Sequence, residues 1–345
     1  MVAFGAFLGS NILTQKITAF FFSYSNQKLE QTILGIKFKN PVGLGAGFDK
    51  DAQLCDILPS VGFGFVEVGS ITGEPCGGNP KPRIWRLEKS KGLVVNYGLK
   101  NEGCQKIAKR LKDKRSFSAN KKFLIPIGIN IAKTNSKKTV QVESGIDDYV
   151  KAYKEFREIG DYFTINISCP NAFGGQPFCD AIRLEKLLAK IDKIPTKKPV
   201  FLKLSPDLTK NEIDKILAVS KRHMVCGFVC TNLTRNRNNS KIAESYLPGD
   251  GGISGKVVED LANDLISYIY QKTKGTFVII GLGGVFSAED AYRKIKLGAS
   301  LVQLITGMIF EGPQVISEIN QGLVKLLEKD GFGNISQAVG KGLDE

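Results

Sequence analysis

The chain has 345 residues, 42% of them hydrophobic, and its 48 Lys and Arg against 34 Asp and Glu give a formal net charge of +14. This size and apolar content suit one large domain, and the basic charge favours anionic small molecules or an anionic membrane surface as partners. A single His excludes a His-rich metal site and argues against a Ser-His-Asp triad, and without zinc-finger spacing or aromatic-interleaved basic runs we expect no metal and no nucleic-acid partner.

The N-terminal segment is apolar through Tyr24 and carries one charge, at Lys16. Its large apolar residues recur near helical spacing, at Phe4, Phe7, Leu8, Ile12, Ile17, Phe20 and Phe21. They predict a helical extension over residues 1–33, ahead of one large domain over 34–345. Lys16 and its polar neighbours argue against a spanning helix. Two interpretations stay open: an amphipathic helix in peripheral contact with a membrane through residues 1–25, or a cap on one end of the barrel core.

The number and spacing of the cysteines indicate the cellular compartment. There are seven, none of them in a Cys-x-x-Cys pair, and no standard secretory signal opens the sequence. We therefore expect reduced thiols and a location on the cytoplasmic side, peripheral on the membrane if the first interpretation of the N-terminal segment holds.

After Lys39, short β-rich runs alternate with helical patterns. The predicted strands are Val42–Ala46, Phe63–Val68, Leu124–Asn130, Tyr162–Ser168, Val200–Leu204, Gly227–Thr231, Phe277–Gly281 and Ser300–Ile305. The predicted helices are Ala52–Pro59, Asn101–Leu111, Ile146–Ile159, Ala181–Ile191, Lys210–Lys221, Val257–Lys272, Ala288–Leu297 and Gln314–Leu327. Eight strands, each followed by a helix, predict an α/β fold of the TIM (β/α)8 barrel type with a short N-terminal helical extension. Two long loops, 70–99 and 232–255, are candidate lids.

Polar residues stand at the downstream ends of many of these strands, where barrels carry their active sites. They are Lys50, Glu67, Ser70, Asn130, Asn166, Cys169, Asn171, Lys203, Thr231 and Asn232. One such residue alone would commonly cap a helix or complete a turn. Because so many converge at one rim, they predict a functional site there.

The glycine-rich run Gly281–Gly284 and the helix that follows Ser287 suit a phosphate group, since backbone N–H groups can approach an anion and the helix dipole assists. Thr306-Gly307 after the eighth strand and Ser254-Gly255 are expected to complete the cradle. The alternative for the glycines is a plain tight turn.

The segment from Asn166 to Asn171 places two carboxamides around the thiol of Cys169. Carboxamides both donate and accept hydrogen bonds, which suits a planar imide or amide ligand. A cysteine acts as a general base where its surroundings favour the thiolate; the alternative is a buried, inert cysteine.

Several motifs resemble those of the membrane-linked, class 2 dihydroorotate dehydrogenases, and the resemblance spans residues 34–327. The matching segments are 40–51, 66–70, 127–133, 203–208, 251–255, 280–285 and 298–303. The resemblance implies oxidation of (S)-dihydroorotate to orotate with FMN in de novo pyrimidine (UMP) biosynthesis, with quinone as the electron acceptor.

The resemblance also implies roles for individual residues. FMN would be held by Ala46, Gly47, Lys50, Ser70, Asn130, Asn166, Lys203, Thr231, Ser254, Gly255, Gly283, Gly284, Thr306 and Gly307. The substrate would be held by Lys50, Asn96, Asn166, Asn171 and Asn232. Cys169 would be the catalytic base, and Lys203 would stabilise negative charge on the flavin ring.

The sequence departs from the class 2 pattern at several points. Cys169 stands where class 2 members usually carry Ser, and the loop around Asn96 is one residue shorter than usual. Leu233 replaces a usual Thr, and only about 40 residues precede Pro41, fewer than the usual quinone-admitting extension. Alternatives are the same reaction with a soluble acceptor (fumarate, or NAD through a partner), another FMN barrel, or a flavin-free phosphate-binding lyase or isomerase.

Overall fold

A computed structural model describes residues 2–117 and 123–343, so Met1, residues 118–122 and residues 344–345 lie outside it. Eight parallel strands close into a barrel in the order β10, β12, β13, β3, β4, β7, β8, β9. Their bounds are β3 Val42–Leu44, β4 Phe65–Ile71, β7 Ile127–Ile131, β8 Tyr162–Asn166, β9 Val200–Leu204, β10 Val225–Cys230, β12 Val278–Leu282 and β13 Leu301–Leu304. The predicted TIM barrel is confirmed, and each predicted strand overlaps one observed strand.

Helices lie between the barrel strands. They are α3 Cys104–Phe117, α4 Val142–Phe156, α5 Ala181–Ile191, α6 Lys210–Ser220, α7 Glu259–Thr273, α8 Ala288–Lys296, α9 Thr306–Glu311 and α10 Val315–Lys329. The helix predicted at 52–59 is wrong, since the chain there makes turns and a short 3-10 helix at Leu58–Val61. Ala52 has a left-handed φ of 56°, and the Asp49 carboxylate takes the backbone N–H groups of Gln53 and Leu54, both at 2.8 Å. These local bonds compete with a helical turn.

An apolar plug fills the inside of the barrel from the amino ends of the strands up to the floor of the cavity. Its members are Phe38, Phe65, Tyr162, Phe201, Val229, Ile280, Leu282 and Leu301. Phe38 comes from a small antiparallel hairpin, β1 Gln31–Ile33 and β2 Ile36–Phe38, and its ring meets Phe65 edge-on at 5.4 Å. The hairpin straddles the predicted boundary at residue 33, and the division into two domains stays a prediction. With this end filled, the space open to a ligand lies toward the carboxyl ends of the strands.

The two long loops contain strands that the sequence analysis missed. β5 Ile84–Leu87 and β6 Gly92–Val95 from the first loop pair with β11 Gly252–Gly255 from the second, in an antiparallel sheet. A small core of Leu87, Val94, Ile253 and Val257 holds this sheet together. Sequence alone did not indicate this sheet because β11 is about 160 residues away from β6, the strand with which it pairs. The sheet forms one wall of the rim.

Two helices begin the chain, α1 Val2–Gly9 and α2 Ile12–Phe22, and they form the predicted helical extension. The break between them comes at Asn11, whose side chain accepts the N–H of Leu13 at 2.7 Å and so caps α2. α2 packs against the 3-10 helix at Leu58–Val61, which precedes β4. Large apolar side chains remain exposed on the pair: Phe4, Phe7, Ile12, Leu13, Ile17, Phe20 and Phe21. Among the described residues, no helix is both long enough and apolar enough to cross a membrane.

Candidate active site

A cavity of about 480 Å³ opens at the carboxyl ends of the barrel strands. This volume lies in the range of small-molecule and cofactor sites, roughly 300–1,000 Å³. The cavity brings together most of the residues singled out from the sequence: Ala46, Gly47, Lys50, Ser70, Asn166, Cys169, Asn171, Lys203, Thr231, Asn232, Ser254, Gly255, Gly283, Gly284, Thr306 and Gly307. The one histidine, His223, precedes β10 and therefore lies at the opposite end of the barrel.

Two of the sequence-based site residues are not in the cavity wall. Asn96 stands between the lining residues Val95 and Tyr97, but its side-chain oxygen accepts a hydrogen bond from Asn79 at 2.7 Å. Asn130 is fully buried on β7, with its amide nitrogen 2.7 Å from a Glu67 oxygen and its own oxygen without a partner in the described chain.

The glycine loop after β12 has the backbone of an anion cradle. Gly283 and Gly284 have φ of 122° and 77°, and a Cβ at Gly284 would stand 2.4 Å from Glu259 Cβ, so side chains are excluded on two grounds. The Ser254 and Thr306 hydroxyls face each other at 2.8 Å on the same side of the cavity. Together these groups offer small residues and hydroxyls to an anion, as the phosphate prediction requires.

The dipole of α8 contributes less to phosphate binding than the sequence analysis predicts. The N–H groups of Phe286 and Ser287 both donate to the Asp290 carboxylate, at 2.8 and 3.0 Å, so the start of the helix already has its own anion. A capping box between Ser287 and Asp290 accounts for this. A phosphate here would depend on the glycines and on the loop after β13 instead.

The carboxamides around Cys169 are held in fixed positions. Asn166 donates to Ser70 Oγ at 2.9 Å, while its oxygen accepts the N–H of Ser168 at 3.2 Å and the Asn232 amide at 3.3 Å. Asn171 donates to the carbonyl of Val95 at 2.7 Å, and its buried side-chain oxygen has no partner among the described residues. This oxygen is available for an N–H donor on a ligand.

Cys169 is not the inert core cysteine of the alternative interpretation, because its residue is partly accessible and lines the cavity. Removal from bulk water raises the pKa of its thiol, and this effect exceeds the opposing ones. Those opposing effects are the N–H of Asn171 and the positive charges of Lys203, Lys133 and Arg235. The thiol is therefore neutral at neutral pH in the ligand-free chain, and the surrounding cations favour its ionisation.

Two cations from other elements clamp the loop that carries Cys169. Arg235 donates to the carbonyl of Pro170, and Lys133 donates to the carbonyl of Phe173 at 3.0 Å. The thiol is thus held between anchors from the β7 and β10 sides of the barrel. This arrangement fixes its position with respect to the cavity.

The cavity contains two lysines in different surroundings. Lys203 ends β9 and is only 4% exposed; burial lowers the pKa of its ammonium, while Glu67 and Cys169 raise it. Lys50 donates to the carbonyl of Gly47 and lies 4.6 Å from the centroid of the Tyr97 ring, and burial lowers its pKa to about 8. Both are positioned to meet negative charge in a ligand.

The sequence analysis missed Gln303 and gave Glu67 no role. Gln303 lines the cavity from β13, and its buried Oε1 has no partner in the described chain. Glu67 is wholly buried beneath it on β4. In both cases the sequence signal is a polar residue between apolar neighbours on a buried strand. Burying a polar group there costs free energy unless the group has a hydrogen-bond partner.

A closed (β/α)8 barrel with a thiol, buried lysines and a phosphate-suited glycine loop at one rim is the framework of a cofactor-dependent barrel enzyme. The sequence model of the family described as dihydroorotate dehydrogenase matches residues 28–327, and the chain belongs to that family. The family prediction is confirmed, and the chain is an oxidoreductase for which membership implies a flavin cofactor. The flavin-free lyase or isomerase alternative is not favoured.

Individual relatives agree with this assignment. A protein of Trichodesmium erythraeum named dihydroorotate dehydrogenase (quinone) is 38% identical over 328 residues, which cover 92% of this chain and 85% of that protein. A protein of the same name from Crocosphaera subtropica is 40% identical over 326 residues, covering 92% and 84%. The crystal structure of ligand-free DHODH from Eimeria tenella superposes with a TM-score of 0.84 at 30% identity, over 96% of this chain and 98% of that one.

Proposed function

We propose that this protein oxidises (S)-dihydroorotate to orotate with bound FMN and passes the electrons to quinone, within de novo UMP biosynthesis. One observation carries the proposal: a single cavity joins the Cys169 loop, the glycine loop at Gly283 and Val2 of the N-terminal helix α1. Substrate, cofactor and an acceptor that enters along the N-terminal helices would thus share one space. The names of the relatives, which specify quinone, support the choice of acceptor.

The residues present fit FMN. The crowded glycines and the facing hydroxyls of Ser254 and Thr306 suit its phosphate, and the unpartnered Gln303 oxygen and the buried Lys203 suit a polar ring edge. We assign FMN contacts to Ala46, Gly47, Lys50, Ser70, Asn130, Asn166, Lys203, Thr231, Ser254, Gly255, Gly283, Gly284, Thr306 and Gly307. FMN held by these residues would supply the hydride acceptor for the oxidation of C6 of the substrate.

The substrate contacts follow from charge and hydrogen-bonding capacity. Lys50 pairs with the carboxylate of dihydroorotate, and the ring amides meet Asn166, Asn171 and Asn232, with Asn96 as a further contact. The Asn171 oxygen, buried without a partner among the described residues, suits a ring N–H. Cys169 as thiolate takes the proton from C5, leaving a neutral thiol.

Reduction under anaerobic conditions tests the whole proposal. Purified protein should show the oxidised flavin band near ~450 nm, release FMN on heating, and bleach when dihydroorotate is added without oxygen. Reoxidation is then compared for a ubiquinone analogue, fumarate and NAD, and quinone should be fastest. Released FAD would contradict the cofactor assignment, and faster reoxidation by fumarate or NAD would contradict the acceptor.

Orotate binding should weaken above pH 8. Because the pKa of Lys50 in the ligand-free chain is about 8 and a ligand carboxylate favours its charged form, affinity should be constant below that pH. Above it, affinity should fall toward the limit of about tenfold per pH unit expected for one proton. Equilibrium titration with orotate between pH 6.5 and 9 measures this. Cys169→Ala should keep the dependence and Lys50→Met should lose it; a flat profile in the wild type would contradict the assignment of Lys50.

The exposed aromatic residues of α2 should serve membrane and quinone access rather than catalysis. Phe20 and Phe21 are 83% and 68% exposed, so Phe20→Ser with Phe21→Ser should leave folding and flavin reduction by dihydroorotate unchanged. Each ring that enters a bilayer contributes roughly 1.5 kcal/mol or more, so liposome binding and long-chain quinone turnover should fall at least about tenfold. Tyr246→Ser, at an exposed aromatic outside the helices, is the matched control. Unchanged liposome sedimentation and turnover in the double variant would favour a purely structural role.

A further inference from the structure

Glu67 lies inside the barrel between the apolar plug and the cavity, with no exposed surface. Four side chains donate to its carboxylate, and they come from three different strands: Asn130 at 2.7 Å, Thr164 at 2.9 Å, Gln303 at 3.1 Å and Tyr162 at 3.3 Å. A buried carboxylate is costly unless it is hydrogen-bonded and paired with charge. An apolar side chain would fill this position more simply, so the carboxylate needs another explanation than packing.

Its hydrogen bonds fix the direction of two amides. Because Asn130 and Gln303 each turn their nitrogen to Glu67, their oxygens are turned away from it. Both oxygens are buried and have no partner among residues 2–117 and 123–343. Gln303 lines the cavity together with Lys203. The network therefore holds acceptors ready for a donor that the polypeptide itself does not supply.

Glu67 also supplies negative charge to the buried Lys203. Burial lowers the pKa of Lys203, and Glu67 is the larger of the two influences that raise it, the other being Cys169. The remaining titratable group that faces Glu67 is Tyr162, whose pKa is raised by burial first and then by the nearby carboxylate. Without the Glu67 charge, burial would still lower the pKa of Lys203, and the larger of the two influences that raise this pKa would be absent.

We propose that Glu67 is a positioning residue of the flavin site, which turns the Asn130 and Gln303 carbonyls away from itself toward a polar edge of the ring and places a negative charge near Lys203. The inference rests on the proposed FMN function and deepens it. Glu67 acts through the three side chains and does not itself touch the cofactor. Its replacement should therefore change the properties of the bound flavin as well as the stability of the barrel.

Glu67→Gln keeps the shape and removes the charge. Titration of apoprotein with FMN should give a dissociation constant at least about tenfold higher than that of the wild type, as expected when charged hydrogen bonds are lost. A pH titration of the bound flavin's absorbance should then show a new ionisation, from Lys203, below the 10.5 of an ordinary lysine. Glu67→Asp restores the charge and should remove that ionisation, which a merely structural role would not predict.

Thr164→Val is the matched control, because it removes a donor to the same carboxylate on a side chain that does not line the cavity. It should keep FMN affinity within about twofold and show no new ionisation. FMN affinity and absorbance in Glu67→Gln equal to those of the wild type would overturn the inference. Failure of the wild type to bind FMN would instead overturn the proposed function.

A second variant covers the case in which Glu67→Gln does not fold. Gln303→Met keeps the carboxylate and the volume but removes one positioned acceptor. FMN affinity should fall about fivefold or more, the scale of one hydrogen bond to a buried group, with no new ionisation of the flavin spectrum. Unchanged affinity in this variant would overturn the role of the positioned amides.

Discussion

Cys169→Ala should bind orotate about as well as the wild type and lose on the order of 10²-fold or more in the rate of flavin reduction, the usual scale of a general base. The C5 proton of dihydroorotate is weakly acidic, so its removal needs a positioned acceptor. The neighbouring carboxamides of Asn166 and Asn171 are not useful bases, and His223 lies at the other end of the barrel. Stopped-flow measurement of flavin bleaching at saturating dihydroorotate gives the rate directly.

The pH dependence of the same step tests the ionisation state. Burial raises the pKa of the Cys169 thiol, so the thiolate is the minor form at neutral pH and its fraction increases with pH up to that raised value. The reduction rate should rise with it, approaching about tenfold per pH unit. Cys169→Ser should keep a fraction of the rate and move the optimum upward, because a hydroxyl is far less acidic. Near wild-type reduction by Cys169→Ala would show that the base lies elsewhere.

The barrel was predictable because its strands are continuous apolar runs separated by helical patterns. Val200–Leu204 and Ala181–Ile191 agree with the structure at both ends, since each is bounded by polar or proline-containing turns. The helix predicted at 52–59 does not form, for a local reason that the hydrophobic pattern does not indicate. The Asp49 carboxylate accepts hydrogen bonds from two backbone N–H groups, and these bonds replace those of a helical turn.

The candidate site was predictable for the same topological reason. Residues that end parallel strands meet at one rim, so most of the residues predicted from the sequence lie in the cavity wall. What sequence could not give is which polar residues are satisfied by the protein itself. Asn96 is held by Asn79, whereas Gln303 keeps an unpartnered oxygen within the described chain. That distinction depends on contacts between distant segments.

The charged neighbour of Lys203 is another feature that the sequence alone does not indicate. From the sequence it is a lone cation at the end of an apolar strand, which predicts a ligand charge as its partner. The structure adds Glu67 from β4 as an anionic neighbour that raises its pKa against the effect of burial. A charge partner 136 positions away along the chain cannot be found from local pattern. The lysine therefore has an anionic neighbour within the protein itself.

Lys203→Ala should weaken FMN retention and nearly abolish flavin reduction. The change removes positive charge from the cavity and takes a cationic neighbour away from the buried Glu67 carboxylate, so it should destabilise the protein as well as the flavin site. We expect a lower melting temperature of the apoprotein and faster loss of FMN on gel filtration. With FMN held saturating, the reduction rate should still fall at least about 10²-fold, because an electrostatic contribution of this size is typical of a group that meets developing charge.

A second substitution distinguishes the effect of losing the Lys203 side-chain volume from the effect of losing its charge. Lys203→Met keeps most of the side-chain volume, so it should recover part of the lost melting temperature while leaving the reduction rate as low as in Lys203→Ala. Orotate affinity, which we assign to Lys50 and the carboxamides, should change little in either variant. Stopped-flow bleaching with excess FMN and thermal unfolding of the apoproteins give both quantities. Full reduction rate in Lys203→Met would contradict a role for the positive charge, and the cost of Lys203→Ala would then be one of packing alone.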